Sequence, residues 1–120
     1  MKIAITSSGK DLSAQVDMRF GRAPRFIVYD LDEDTFQVVD NSQGLEAAGG
    51  AGIQSGETVA RIGAGAVVTG HCGPKAFKVL STAGIKIYNV GPSTVREAID
   101  SYRSGDLTEA TGADVDSHWV

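Results

Sequence analysis

Two adjacent residues, His71 and Cys72, carry side chains that can bind a metal ion or act as a nucleophile. They lie in the segment Gly70–Gly73, between an apolar run and Pro74, a pattern typical of a turn from a strand into a helix. The positive end of that helix would favour a thiolate, so we expect one of the two side chains to contact a ligand. The alternative is structural, with Cys72 a small buried side chain and His71 a solvated loop residue.

A second group of residues suits the binding of an anion. The segment 10–25 contains four basic residues and two acidic ones, a local charge of +2. The basic residues are Lys10, Arg19, Arg22 and Arg25. Nearby serines such as Ser8 add hydroxyl donors, while the alternative for Arg19 and Arg22 is a surface ion pair with Asp17 or Asp30.

Glycine accounts for 15 of the 120 residues, well above the average share of about 7%. One group, Gly63, Gly65, Gly84 and Gly105, follows predicted helices and is typical of helix ends. Another group, in Gly49-Gly50-Ala51-Gly52, either lets a ligand approach the backbone or is only a connector.

The spacing of apolar residues predicts an α/β fold, in which three helices cover one mixed five-stranded sheet in the order β-β-β-α-β-α-β-α. The strands are expected at residues 2–6, 25–31, 35–40, 66–69 and 85–90, and the helices at 53–62, 74–83 and 95–104. The clearest local signals are a hairpin turn at Asp32–Asp34 and a capping box at Thr94–Glu97.

The chain order determines which loops meet. Right-handed crossovers make the first, fourth and fifth strands parallel. The loops at 7–24, 41–52, 70–74 and 91–93 then share one end of the sheet with all three helix N-termini, and we call it the loop end. Ligands of open α/β sheets bind at the carboxyl ends of the parallel strands, so the loop end is the predicted anion site.

Composition and motifs exclude several classes of protein. A net charge of −4 does not suit general nucleic-acid binding, and a single cysteine excludes a disulfide framework or a Cys-rich metal site. The strands at 2–6 and 66–69 lack the carboxylates of a metal-dependent nuclease. The chain also lacks a phosphate-loop lysine motif and a nucleophile-elbow motif, so we expect a protein that is not an enzyme.

Length and hydropathy predict one cytoplasmic domain. The domain is expected at residues 1–107, followed by an acidic, flexible tail at 108–120. No apolar run is long enough for a signal peptide or a membrane span, so we expect no binding to membranes, and the net charge of −4 predicts no binding to nucleic acid.

Six short motifs occur in the order and with the spacing found in a known protein family. They are Met1-Lys2-Ile3-Ala4-Ile5, Phe20-Gly21-Arg22-Ala23-Pro24-x-Phe26, Gly49-Gly50-x-Gly52, Gly70-His71-Cys72-Gly73-Pro74-x-Ala76, Gly84-Ile85-Lys86-Ile87-Tyr88 and Tyr102-x-x-Gly105-x-Leu107. Through them the chain resembles the proteins of nitrogenase iron–molybdenum cofactor biosynthesis (the NifX and NafY type). That family includes the orange protein, which carries a molybdenum–copper sulfide cluster.

The resemblance implies a ribonuclease-H-like fold without nuclease activity, and a carrier role for a preformed anionic metal–sulfur cluster. The cluster would contain molybdenum with iron or copper and would be held non-covalently, and cluster-assembly or cluster-accepting proteins would be the partners. With the loop end, it gives the contact residues Ser8, Lys10, Arg19, Phe20, Gly21, Arg22, Gly50, Gly52, Gly70 and Gly73, and the candidate metal ligands His71 and Cys72.

One position departs from the family pattern. Members often carry a histidine just before Phe-Gly-Arg, where this chain has Arg19. The resemblance therefore leaves ion pairing by Arg19, or ligation by His71 or Cys72, as ways to hold the cluster. Two alternatives use the same loop end: a regulatory module for a phosphate- or nucleotide-bearing metabolite, and a protein-interaction domain.

Overall fold

A computed structural model of the protein describes residues 1–41 and 50–113. The elements in chain order are β1 (Lys2–Ser7), a 3₁₀ turn (Phe20–Arg22), β2 (Arg25–Asp30), β3 (Thr35–Asp40), α1 (Ala51–Ile62), β4 (Ala66–Thr69), α2 (Pro74–Thr82), β5 (Lys86–Asn89), α3 (Val95–Ser104) and β6 (Thr108–Glu109). The predicted α/β class and the predicted order from β1 to α3 are confirmed.

The strands form one mixed sheet in the order β3-β2-β1-β4-β5-β6. The central strands β1, β4 and β5 are parallel, and β2 and β3 form an antiparallel hairpin beside them. Ser7 at the end of β1 pairs with Arg25 at the start of β2, and Arg25 pairs with Asp40 at the end of β3. The ends of β1 and β3, the start of β2 and the carboxyl ends of the parallel strands β4 and β5 therefore lie at one end of the sheet, as predicted.

The sheet has one strand more than the five predicted. Thr108–Glu109 pairs antiparallel with β5, and the N–H of Ala110 donates to the carbonyl of Ile87 at 2.7 Å. The sheet thus includes Thr108 and Glu109, which follow the boundary at residue 107 that the sequence predicts. A two-residue strand carries no periodicity, which is why the sequence does not predict it. The last seven residues of the predicted tail, 114–120, lie outside the described residues.

Alternation along the strands divides the core into two apolar clusters, one on each face of the sheet. In β1, Ala4 belongs to the cluster that includes Val59 of α1 and Leu80 of α2, whereas Ile3 and Ile5 belong to the cluster beneath α3. Helices α1 and α2 therefore cover one face and α3 covers the other. None of these helices, within the described part of the chain, is long and apolar enough to cross a membrane.

Three of the four glycines that were predicted to end helices do so. Gly63, Gly84 and Gly105 have φ angles of 84°, 77° and 74°, a region where side chains are strained. Gly65 does not have this conformation, and the prediction that it ends a helix is wrong. A Cβ on Gly65 would lie 2.9 Å from Cε of Met1, so this glycine makes room for the first residue of the chain.

Candidate functional site

Two loops of the loop end are joined by backbone pairing. The N–H of His71 donates to the carbonyl of Met18 at 2.8 Å, and the N–H of Phe20 donates to the carbonyl of His71 at 3.1 Å. Arg19 therefore lies opposite His71 in a parallel bridge. Residues paired across a ladder project to the same face, so the side chains of Arg19 and His71 leave the backbone on the same face. Arg19 is exposed and His71 is partly exposed.

Gly70 makes this pairing possible because it has no side chain. A Cβ at Gly70 would lie 2.7 Å from the carbonyl oxygen of Met18 and 2.8 Å from its Cα, closer than real Cβ atoms approach backbone. The structure thus gives Gly70 a role in bringing the two loops together. Gly73 is also buried and is the N-cap residue of α2.

A chain of polar groups fixes the segment that leads to Arg19. The hydroxyls of Thr6 and Thr69, both fully buried, lie 2.8 Å apart, and the Thr6 hydroxyl donates to the carbonyl of Asp17 at 2.6 Å. The carboxylate of Asp17 in turn accepts the N–H of Arg19 at 3.0 Å. Sequence reasoning missed these threonines, although the signal was present as a polar residue at the carboxyl end of each of two central strands.

The 3₁₀ turn is anchored to the core beside β2. Its first two residues, Phe20 and Gly21, are buried, and the Phe20 ring packs against Phe26 with 5.8 Å between ring centroids. Phe20 thus supports the turn from inside the core, and its side chain offers no surface to a ligand in this conformation. Arg22 is partly exposed at the end of the turn.

Two of the three helix N-termini at this end have no side-chain cap. Neither Gly50 before α1 nor Gly73 before α2 supplies one, whereas the Thr94 hydroxyl caps α3 by accepting the N–H of Glu97 at 3.1 Å. The first N–H groups of α1 and α2 therefore have no side-chain acceptor on their N-cap residue, and those of α3 are partly satisfied; α2 begins with Pro74, which has no N–H, and Ala51 at the start of α1 is buried. Gly52 is buried in the first turn of α1, and Gly49 lies outside the described residues.

Ser8 and Lys10 belong to a separate excursion of the chain, residues 8–15. The N–H of Ser8 donates to the carbonyl of Gln15 at 3.0 Å, and the Ser8 hydroxyl lies 3.0 Å from the same oxygen. The hydroxyl of Ser8 is thus engaged within the loop. Lys10 is exposed near the tip of the excursion.

Charges are arranged differently at the two ends of the sheet. Within residues 1–41 and 50–113, the ion pairs are Met1–Asp32, Lys86–Glu109 and Arg103–Asp34. All three lie away from the loop end. No carboxylate of the described residues lies within 4.0 Å of the basic groups of Lys10, Arg19 or Arg22, so the predicted alternative of arginine ion pairs with Asp17 or Asp30 is not found there.

Cys72 is only 1% exposed and belongs to the apolar cluster beneath α1 and α2. Its Sγ lies 3.7 Å from the carbonyl oxygen of Gly73. A metal could reach this thiol only after movement of the turn, whereas His71 is already partly exposed. Across the described ranges, no group of three or more His, Cys, Asp or Glu side chains is arranged to hold a metal ion.

These features define a class of protein: an α/β domain on a mixed sheet, with basic side chains and uncapped helix N-termini gathered at one end. Residues 1–105 match the sequence model of the dinitrogenase iron-molybdenum cofactor family. The chain therefore belongs to that family.

Two solved structures and a curated relative are similar to the chain over most of its length. The apo form of the orange protein from Desulfovibrio gigas matches with a TM-score of 0.92 and 39% identity, over 95% of this chain and 96% of that one. A Thermotoga protein solved by NMR matches with a TM-score of 0.84 and 37% identity, over 95% and 97% of the two chains. An uncharacterized protein of Methanocaldococcus jannaschii is 26% identical over 110 residues, which is 89% of each chain.

Proposed function

We propose that this protein binds a preformed, anionic metal–sulfur cluster at its loop end and carries it without catalysing a reaction. The observation that carries the proposal is the charge of Lys10, Arg19 and Arg22 there, which no carboxylate of residues 1–41 and 50–113 neutralises, while the ion pairs of that part of the chain lie elsewhere. Cations left without a carboxylate at the ligand-binding end of an α/β sheet suit an anionic ligand. Family membership and the similarity to the orange protein support a cluster that contains molybdenum.

The chemistry of such a cluster suits the donors that this end offers. Sulfide atoms of an anionic cluster accept hydrogen bonds, and the loop end supplies them from the Arg19 guanidinium and from the first turns of α1 and α2. Gly50 has open space around it, and Gly70 lets two loops pack closely. Gly52 and Gly73 are buried in the same loops. A site built in this way holds an assembled cluster by ionic attraction and by hydrogen bonds from the backbone.

His71 is the residue we assign as the metal ligand closest to the surface. The family often places a histidine at the position of Arg19, and the backbone bridge puts His71 directly opposite that position. An imidazole at His71 can therefore reach the space that a histidine at position 19 would serve. Cys72 lies behind it in the core and would serve as a ligand only after the turn opens.

A carrier must also release its cargo. The proposed partners are therefore proteins that assemble or accept the cluster, and the exposed loop end is the surface where transfer would occur. Cluster-bound protein mixed with an apo-acceptor should lose metal to it without any change in cluster composition.

Reconstitution tests the proposal. The apo-protein is incubated with tetrathiomolybdate plus copper, and separately with iron–molybdenum cofactor, and metal content and visible absorbance are read after desalting. We expect retention with one of the two, and a loss of affinity of about tenfold or more in Arg19→Ala, because charge-assisted hydrogen bonds contribute about 1.5–3 kcal/mol. Arg61→Ala, an exposed arginine in the last turn of α1, is the matched control at the opposite end.

Two results would overturn the proposal. One is the absence of retained metal in both reconstitutions. The other is retention that Arg19→Ala and Arg22→Ala leave unchanged, which would remove the electrostatic basis of the site. If the protein binds neither cluster but does bind a nucleotide or inorganic phosphate, that result would instead support the metabolite-binding alternative.

A further inference from the structure

Arg25 has an arrangement that the stability of the fold does not explain. It is the first residue of β2, and its Nη1 donates to the carbonyl of Ser8 at 2.6 Å. Its Nε is buried without a hydrogen-bond partner among the described residues, and no carboxylate of those residues lies within 4.0 Å of the guanidinium. Buried donors without a partner are rare in native proteins and cost stability.

The carbonyl that Arg25 binds belongs to the base of the excursion at 8–15. On the opposite strand, Gln15 pairs with Ser8 and forms a bridge with Thr94, next to α3. The excursion is therefore held from the α3 side by backbone pairing, and from the β2 side by the Arg25 side chain. Lys10 projects from the excursion and is exposed.

We propose that Arg25 is a positioning residue for the cluster, one that clamps Ser8 and so holds Lys10 where it meets the anion. This inference rests on the proposed function. A clamp of this kind keeps the loop in its binding-competent position before the ligand arrives. When such a loop is competent for only a fraction of the time, apparent affinity falls by that fraction.

The test uses four variants of the full chain: Arg25→Met, Lys10→Met, the double variant, and Arg61→Met as the control at the opposite end. Amide hydrogen exchange of the segment 8–15 is measured on the apo-protein. Retention of the cluster formed from tetrathiomolybdate and copper is measured as a dissociation constant, and the unfolding midpoint is measured in urea.

In Arg25→Met, we expect exchange of the segment 8–15 to accelerate about tenfold, because a charge-assisted hydrogen bond is lost. The unfolding midpoint should stay close to that of the wild type, since the substitution also removes the unpartnered Nε. Arg25→Met and Lys10→Met should each weaken cluster binding about tenfold, and the double variant should be no weaker than either, because Arg25 acts through Lys10.

Additive losses, about a hundredfold in the double variant, would overturn the proposal by showing that Arg25 contacts the ligand independently. Unchanged exchange in Arg25→Met would overturn the clamp itself. Unchanged cluster binding in Arg25→Met would overturn its role toward the cluster. A wild-type protein that retains no cluster would overturn the proposed function, and the exchange measurement on the apo-protein would still decide whether Arg25 clamps the loop.

Discussion

The side-chain amide of Asn41 donates to the hydroxyl oxygen of Ser55 at 2.9 Å, and both residues are closed to solvent. The same amide donates to the carbonyl of Ala23 at 2.9 Å, and the Ser55 Oγ lies 3.4 Å from the carbonyl oxygen of Gly21. This buried pair thereby joins the end of β3, the 3₁₀ turn and the first turns of α1. The backbone beside Arg22 is held by polar contacts in the interior.

Replacement of Asn41 by alanine should destabilise the protein by about 1–3 kcal/mol, because the carbonyl of Ala23 and the hydroxyl of Ser55 lose a partner in a buried site. The free energy of unfolding is measured by urea denaturation. Gln37→Ala, on the exposed strand β3, is the control and should change stability by no more than about 0.5 kcal/mol. Equal effects of the two substitutions would contradict the assigned role of the buried pair.

Gly70→Ala should separate the loops that carry Arg19 and His71. Its Cβ would meet the Met18 backbone, so either this loop or its neighbour must move, at a cost of about 1–3 kcal/mol. The readouts are the unfolding free energy and the amide exchange of Phe20, whose N–H bonds to His71. Gly91→Ala is the matched control, because a Cβ there meets nothing within 4 Å. Retained protection of the Phe20 amide in Gly70→Ala would show that the pairing does not depend on the glycine.

Most of the fold could be predicted because its elements carry local signals. The capping box at Thr94–Glu97 is present with both hydrogen bonds, and β4 has the predicted limits. What the sequence does not indicate depends on distant partners. The two-residue strand β6 exists only because β5 offers an edge, and the space beside Gly65 is occupied by the side chain of Met1, far away in the sequence.

In the candidate site too, the features with local sequence signals could be predicted and those that depend on distant residues could not. Chain order is sufficient to collect the loops at one end of the sheet, and it places Arg19 and His71 in the same region. Sequence alone does not show that Phe20, which was predicted as a ligand contact, is fully buried while its neighbour Arg19 is exposed. Nor does it show the positioning contacts of Thr6 and Arg25, because hydrogen bonds between residues far apart in the chain leave no local pattern.

The Cys72 thiol should react slowly with a disulfide reagent in the native protein. Its side chain is 1% exposed, so reaction requires an opening of the structure. We expect the native rate to be at least about a hundredfold lower than the rate in guanidinium chloride. The release of thionitrobenzoate measures both rates, and the unfolded chain is the internal control. A native rate equal to the unfolded rate would contradict the burial and would make Cys72 an accessible metal ligand.

The carboxyl of Glu97 should contribute to the loss of stability in acid. It accepts the N–H of Thr94 at 2.8 Å, and the backbone and side-chain hydrogen bonds with Thr94 hold the pKa of Glu97 below its ordinary value of 4.5. Because the pKa is lower in the folded state, its contribution is fully present above about pH 4.5 and is lost as the pH falls through the folded value.

Glu97→Gln retains a hydrogen-bond acceptor for the capping box and removes the titration. Between about pH 5 and pH 3, the free energy of unfolding should therefore fall less steeply in Glu97→Gln than in the wild type, and the two curves should converge in acid. Some acid loss should remain, since hydrogen bonds from Ser13 and from the Glu33 backbone lower the pKa of Asp11 and of Asp30. Urea denaturation at a series of pH values gives both curves, and parallel curves would show that the capping carboxylate does not stabilise α3 through its charge.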